Sequence, residues 1–175
     1  FALFYVLLAP FVGAFADSLP KGRVMLISNA IKVLGCLMML FGSHPLLAYG
    51  IVGLGAAAYS PAKYGILTEL LPASQLVKAN GWIEGLTIAS IILGVVLGGQ
   101  LVAPHIADHL LSWPLPGIDL PAEAAILALV PLYLLAAWIN LFIPRTTAAL
   151  QPMPANPLAL LPDFWACNCK LWRDK

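Results

Sequence analysis

The sequence predicts an all-α membrane protein with five transmembrane helices. Three observations predict it. Of 175 residues, 61% are hydrophobic and only 10% are charged, against roughly 25% charged in a soluble domain. The mean hydropathy is +0.91. The apolar residues fall into five runs, and the basic residues of the intervening loops all fall on one side of them. So few polar residues cannot cover a water-facing surface, which excludes an ordinary soluble enzyme and a disordered tail. A net charge of +1 supplies no basic footprint, so no nucleic-acid partner is expected. Membrane lipid is the expected surrounding.

A helix that crosses the hydrocarbon core needs about 20 predominantly apolar residues. Residues 1–16 are read as the end of a span that is already apolar at Phe1. Together with the open-looking end at Leu171-Trp172-Arg173, this leads us to expect an internal piece of a longer membrane protein. The run is not a signal peptide, because it lacks a basic leader and further spans follow. Residues 17–23 form a polar break containing Pro20 and Gly22. The second span is 24–41, followed by the tight turn Gly42-Ser43-His44-Pro45. The third, 46–71, is long and carries Ser60-Pro61, which predicts a proline kink. A polar connection is expected over 72–79, a fourth span over 80–102 and a loop over 104–121. The fifth span is 123–143, with Pro131 inside it.

Residues 144–175 read as a Pro-rich polar loop. Its last part, 156–175, carries Leu158, Leu160, Leu161, Phe164, Trp165, Leu171 and Trp172 among a few charges. That pattern suits either a helix lying on the membrane surface or a loose linker.

Loop charges orient the spans. Lys32 and Lys63 fall inside spans. The other seven basic residues, Lys21, Arg23, Lys78, Arg145, Lys170, Arg173 and Lys175, all lie on one side under alternating topology. The opposite loops carry His44, His105, Asp108, His109 and Asp119 and no Lys or Arg. The positive-inside rule therefore places 17–23, 72–79 and 144–175 in the cytoplasm.

Cys36 sits in an apolar run as a small hydrophobe. Cys167 and Cys169 form C-x-C with no His or further Cys nearby, so neither a metal nor another cofactor is expected. The fourth span carries Gly81, Gly85, Gly94, Gly98 and Gly99, whose spacing lets helix backbones approach closely in lipid. It reads as a packing surface, static or sliding. Gly53, Gly55 and Ala56–Ala58 give the third span a similar smooth patch.

The first loop, from Gly13 to Arg23, resembles the signature loop of the major facilitator superfamily. Gly13, Ala16, Asp17 and Lys21 match it, Pro20 replaces a glycine, and Arg23 is displaced by one. The run Gly94-Val95-Val96-Leu97-Gly98-Gly99 is similar to the helix-5 pattern of antiporters, with Val95 in place of proline. Gly53-Leu54-Gly55-Ala56-Ala57 resembles the end of the helix-4 pattern, whose arginine would fall at Tyr49. These departures point away from a proton-coupled drug exporter. Ser60-Pro61-Ala62-Lys63-Tyr64-Gly65-Ile66-Leu67-Thr68-Glu69-Leu70-Leu71-Pro72, continued by Leu76-Val77-Lys78-Ala79-Asn80-Gly81-Trp82, is more specific. It resembles the bacterial lysophospholipid transporters of that superfamily. It is also similar to the transporter part of proteins fused to an acyltransferase, although no acyltransferase sequence is present.

The resemblance implies the N-terminal transporter half, as helices 2 to 6 and the central cytoplasmic loop. It implies inward movement of lysophospholipid, chiefly lysophosphatidylethanolamine, across the bacterial inner membrane, with a cytoplasmic acyltransferase acting downstream. It further implies a gating loop of Gly13, Asp17, Lys21 and Arg23. Charges inside spans are costly and default to function. Lys63 would hold the substrate phosphate on the cavity-lining helix, with Tyr64 adding a hydroxyl; the alternative is that Lys63 snorkels to headgroups. Lys32, on a face with Asn29 and Cys36, either contacts substrate or snorkels. Glu84, on a stripe with Asn80 and Thr87, either joins Asn80 at the substrate or pairs with a loop lysine. Glu69, Tyr5, Trp82 and Trp138 read as interfacial or packing residues. The competing functions are a drug or sugar exporter and a membrane-embedded lipid-modifying enzyme. The spans carry no H-E-x-x-H pair or paired catalytic Asp set, which argues against an enzyme.

The charge split makes a topological prediction. Single cysteines at Lys78 and Arg145 should resist an impermeant thiol reagent in intact cells, while one at Asp108 should react. Labelling at 78 would overturn the span assignment.

Overall fold

The computed structural model describes residues 2–112, 118, 120–144, 146, 149–154 and 156–173. Arg145, Asp119, Lys175 and the side chain of Tyr5 lie outside the described residues, as do the expectations placed on them. Seven α-helices follow in order: α1 Ala2–Ser18, α2 Lys21–Leu40, α3 Pro45–Leu70, α4 Ala73–Leu101, α5 Pro104–Leu111, α6 Pro121–Asn140 and α7 Leu160–Arg173, the last preceded by a 3-10 turn at Pro157–Ala159. No strand occurs among the described residues.

Proline and glycine punctuate the chain as their backbone chemistry dictates. Pro45, Pro104 and Pro121 each open a helix, where a missing N–H costs nothing. Gly42 ends α2 with φ +72°. Its N–H bonds to the Met39 carbonyl at 3.3 Å, and that of Ser43 to Met38 at 3.0 Å. These are the paired bonds of a left-handed C-terminal cap that favours glycine. Glu123 caps α6 by accepting from the Leu120 N–H at 3.0 Å.

Three boundaries differ from the sequence reading. The 17–23 break shrinks to Leu19–Pro20, because α1 runs to Ser18 and α2 starts at Lys21. The 72–79 connection is almost entirely helix: α4 starts at Ala73 and runs 29 residues, about 43 Å at helix rise. That length exceeds the roughly 30 Å of a hydrocarbon core, so α4 is longer than a span needs. The 104–121 loop contains α5, whose Ala107 is buried where α5 packs on α6. Of the two readings of 156–175, a helix is present. It leaves Trp165, Leu171 and Trp172 exposed.

Helix α3 lies between α1 and α2, and α2 lies between α3 and α6. Helix α4 touches α3 and α6 only sparsely and buries none of its residues. Among the described residues, three helices are long and apolar enough to cross a membrane: α2, α4 and α6. Helix α1 has 17 described residues. In α3 the small residues of the buried face, Ala48, Gly50, Gly53, Gly55, Ala57, Ala58 and Ala62, dilute the hydropathy of a 26-residue helix.

That small-residue face is where the fold is tightest. A Cβ at Gly55 would stand 2.7 Å from the Ser28 carbonyl oxygen and 2.9 Å from Lys32 Cγ. One at Gly35 would stand 2.6 Å from Val52 Cγ2 and 2.9 Å from the Ala48 carbonyl oxygen. The glycines flagged on α4 behave differently. No described atom lies within 4 Å of a Cβ at Gly81, Gly85, Gly94, Gly98 or Gly99.

Gly55→Ala should therefore force α2 and α3 apart. The expected loss is about 1–3 kcal/mol, the range for overpacking a tight contact. It should appear as a lower thermal midpoint of the purified full-length protein, and an unchanged midpoint would refute the contact.

Candidate functional site

Two polar clusters stand at different depths along the helices. The first lies where α1 gives way to α2. Lys21 is the first residue of α2 and is 7% exposed. Its ammonium donates to Asp17 Oδ1 at 2.6 Å and to the Ala16 carbonyl at 2.9 Å. It lies 3.6 Å from Glu69 Oε1 near the end of α3. The other carboxylate oxygen of Glu69 accepts from the Thr146 hydroxyl, and the Asp17 carbonyl accepts from the Gln151 N–H at 3.0 Å. One buried cation thus joins α1, α2, α3 and the segment after α6. A charge so far from water needs such acceptors to offset its desolvation. Gly65 makes room for the lysine stem, since a Cβ there would meet Lys21 Cε at 3.2 Å.

This cluster bears on two sequence readings. Glu69, read as interfacial or packing, is 16% exposed and bound to Lys21 and Thr146, so it is a partner in the cluster. Arg23 does not join Asp17 and Lys21. Two residues turn an α-helix by about 200°, so Arg23 projects from the opposite side and lines a cleft between α2 and α6. Gly13 has no described atom near a Cβ position.

The second cluster surrounds an open cavity of about 720 Å³ lined by residues of α2, α3, α4 and α6. Lys32 from α2 and Lys63 from α3 both line it, with Tyr59, Ser60, Thr87 and Tyr133. The Lys32 ammonium donates to Asn29 Oδ1 at 3.2 Å. It sits 4.5 Å from the centre of the Tyr59 ring and 5.6 Å from that of Tyr133. Lys63 donates to Thr87 Oγ1 at 3.2 Å and lies 4.5 Å from the Tyr64 ring centre. Aromatic faces and neutral oxygens stabilise an ammonium without neutralising it. Among the described residues neither lysine has a carboxylate within salt-bridge distance. Apart from Ser90, the rest of the lining is apolar, with Ala56, Ile83, Leu86 and Ile91.

The remaining candidates lie beside this cavity. The Tyr64 hydroxyl donates to Glu84 Oε1 at 2.5 Å, tying α3 to α4. Glu84 is thus paired with a tyrosine, not with a loop lysine. Asn80 is exposed and lines a separate cavity of about 300 Å³ with Tyr64 and Thr68. Trp82 and Trp138 are exposed on helix surfaces. Sequence reasoning missed Tyr59, Tyr133 and Thr146. Tyr133 lies in a uniformly apolar run with nothing in its spacing to single it out. Tyr59 directly precedes the Ser60-Pro61 motif, so it was within reach.

Residues 1–170 match the Major Facilitator Superfamily. The chain belongs to that superfamily. Its members are membrane transporters rather than enzymes, and the apolar helices fit a multi-pass membrane protein. Among curated superfamily relatives, "Lysophospholipid transporter LplT" of Yersinia enterocolitica serotype O:8 / biotype 1B is 47% identical over 99% of this chain. The proteins of the same name from Yersinia pestis (strain Pestoides F) and Yersinia pseudotuberculosis serotype O:3 are 46% identical over the same share. The chain spans 39% of the length of each relative. No solved structure matches it.

The geometry ranks the residues of the first cluster. Lys21→Gln leaves Glu69 largely buried without its cation and should cost about 3 kcal/mol. Asp17 is 58% exposed, so Asp17→Asn should cost under about 1 kcal/mol. Thermal midpoints of the full-length variants measure both, and equal losses would contradict the ranking.

Proposed function

We propose that this chain is the N-terminal half of a transporter that carries lysophospholipid, chiefly lysophosphatidylethanolamine, inward across the bacterial inner membrane. A cytoplasmic acyltransferase then re-acylates the product. One observation carries the reading: two lysines without acidic partners among the described residues line one cavity between the helices. A lysophospholipid brings a phosphate and a single acyl chain. The phosphate supplies the negative charge that the described residues withhold from Lys32 and Lys63, and the apolar wall of Ile83, Leu86 and Ile91 suits the chain. Burying either charge alone is expensive, so the ions favour each other's entry. The name of the relatives supports the same substrate class.

The other residues take supporting roles in this reading. Tyr64 and Glu84 hold α3 to α4 at the cavity's edge, and Asn80 meets the substrate from the neighbouring pocket. The Asp17–Lys21 pair belongs to a cytoplasmic gate, with 17–23, 72–79 and 144–175 facing the cytoplasm. Gly81, Gly85, Gly94, Gly98 and Gly99 form the α4 surface that meets helices of the second transporter half.

The test is uptake of labelled lysophosphatidylethanolamine by cells expressing the full-length protein. Lys63→Gln should lose most uptake at equal membrane abundance, by about tenfold or more if a charge-assisted contact is lost. Lys63→Arg should retain part of it. Wild-type uptake by Lys63→Gln would reject the phosphate-anchor role.

A further inference from the structure

The cleft between the start of α2 and the end of α6 has no part in the transport reading, since neither Lys32 nor Lys63 lines it. Its volume is about 150 Å³, roughly ten times the 10–15 Å³ that one water needs. Three features in it favour an anion. Arg23 lines it, is exposed, and has no carboxylate within salt-bridge distance among the described residues. Asn140 lines it from α6 and is only 7% exposed, and its side-chain amide nitrogen is buried with no acceptor. A buried donor left unpaired is a standing cost that a ligand oxygen would remove. The start of α2 borders the cleft through its N-cap Pro20 and through Gly22, and the positive end of a helix attracts negative charge. Gly22 keeps the two helices close there, since a Cβ would stand 3.1 Å from Ile143 Cβ.

Position narrows the ligand. The apolar, membrane-length part of α2 starts at Lys21 and that of α6 ends at Asn140, so the cleft lies where spans meet the headgroup layer. A guanidinium presents a planar fork of donors suited to phosphate oxygens. We propose that this cleft is a phosphate-binding site, separate from the transport cavity. Arg23 clamps the phosphate oxygens and the Asn140 amide donates to one of them. A phospholipid headgroup and free inorganic phosphate share this chemistry. A resident headgroup would pin α2 to α6 and so stabilise the folded helices by mass action.

The experiment uses the purified full-length protein in detergent and measures its thermal midpoint, with no transport readout. Short-chain phosphatidylglycerol and inorganic phosphate are titrated separately into wild type, Arg23→Gln, Arg23→Lys and Asn140→Leu. Phosphatidylglycerol should raise the wild-type midpoint. Arg23→Gln should need about tenfold more lipid for the same rise, with Arg23→Lys intermediate. Asn140→Leu should weaken the response while removing the orphan donor from the ligand-free protein. A rise with inorganic phosphate alone, lost in Arg23→Gln, would support the site and identify its occupant as the free anion. A lipid response of wild-type affinity in Arg23→Gln would overturn the site, as would no response to either ligand in wild type. Arg23 is exposed, so its variants stay informative even if Asn140→Leu does not fold.

Discussion

In hydrocarbon, burying a leucine gains little, because lipid tails surround it as well as a protein interior does. Helices hold together there by closeness of approach and by polar contacts. The α2–α3 contact shows the first of these. Gly35 and Gly55 bring the backbones so near that a single Cβ at either would meet a carbonyl oxygen under 3.0 Å. The position of α2 against α3 therefore depends on two missing methyl groups. That registration in turn sets the rest. It brings Lys21 beside Glu69 at one level and places Lys32 and Lys63 on a common cavity at another.

The buried face of α3 explains an inversion that a soluble fold would not show. Its interior residues are small, while the large apolar side chains of α4, such as Ile88, Leu93 and Val95, are exposed. In water that would be an unstable surface; in a bilayer apolar side chains can stand outward at little cost. Helix α4 joins the others through a few polar ties, the Tyr64–Glu84 and Lys63–Thr87 hydrogen bonds. Polar bonds between helices are stronger links than apolar contact in this solvent, since a broken one finds no water to replace it.

Much of this was legible in sequence, and the reasons differ by level. The helical class follows from composition, which the bilayer constrains strongly. The ends of elements were less legible. Pro72 and the polar residues after it read as a loop, yet polar side chains are equally at home in helical turns that project beyond the membrane. Which glycines meet a neighbour among the described residues was not legible, for a physical reason. Small-residue spacing reveals a face that permits approach, and α4 has one, but only a neighbour makes it a contact. Lys63 was singled out from its intramembrane charge and its place in a motif. Lys32 was equally visible, yet its place on the same cavity depends on the α2–α3 crossing, which spacing within one helix does not encode. Tyr133 carries no local signal at all, because an aromatic in an apolar run looks the same whether it faces lipid or a cation.

The lysines show how environment divides one residue type into different tasks. Lys21 is surrounded by oxygen acceptors, two of them carboxylates, all supplied by this chain. Its charge is answered internally, so its energy goes into holding three helices and a loop in one arrangement. Lys32 and Lys63 receive only an amide oxygen, a hydroxyl and aromatic faces. These orient an ammonium but leave its charge open, and a cavity between them has room for what would close it. A lysine with its counter-ions built in has nothing left to offer a ligand. A lysine at membrane depth without them is stable only where water or an anion can reach it. The same accounting applies to Arg23, whose side chain faces a cleft holding an unpaired buried amide rather than the Asp17 and Glu69 carboxylates that answer Lys21. In this chain, the sites open to an anion are those where the described residues leave a cation without its complement.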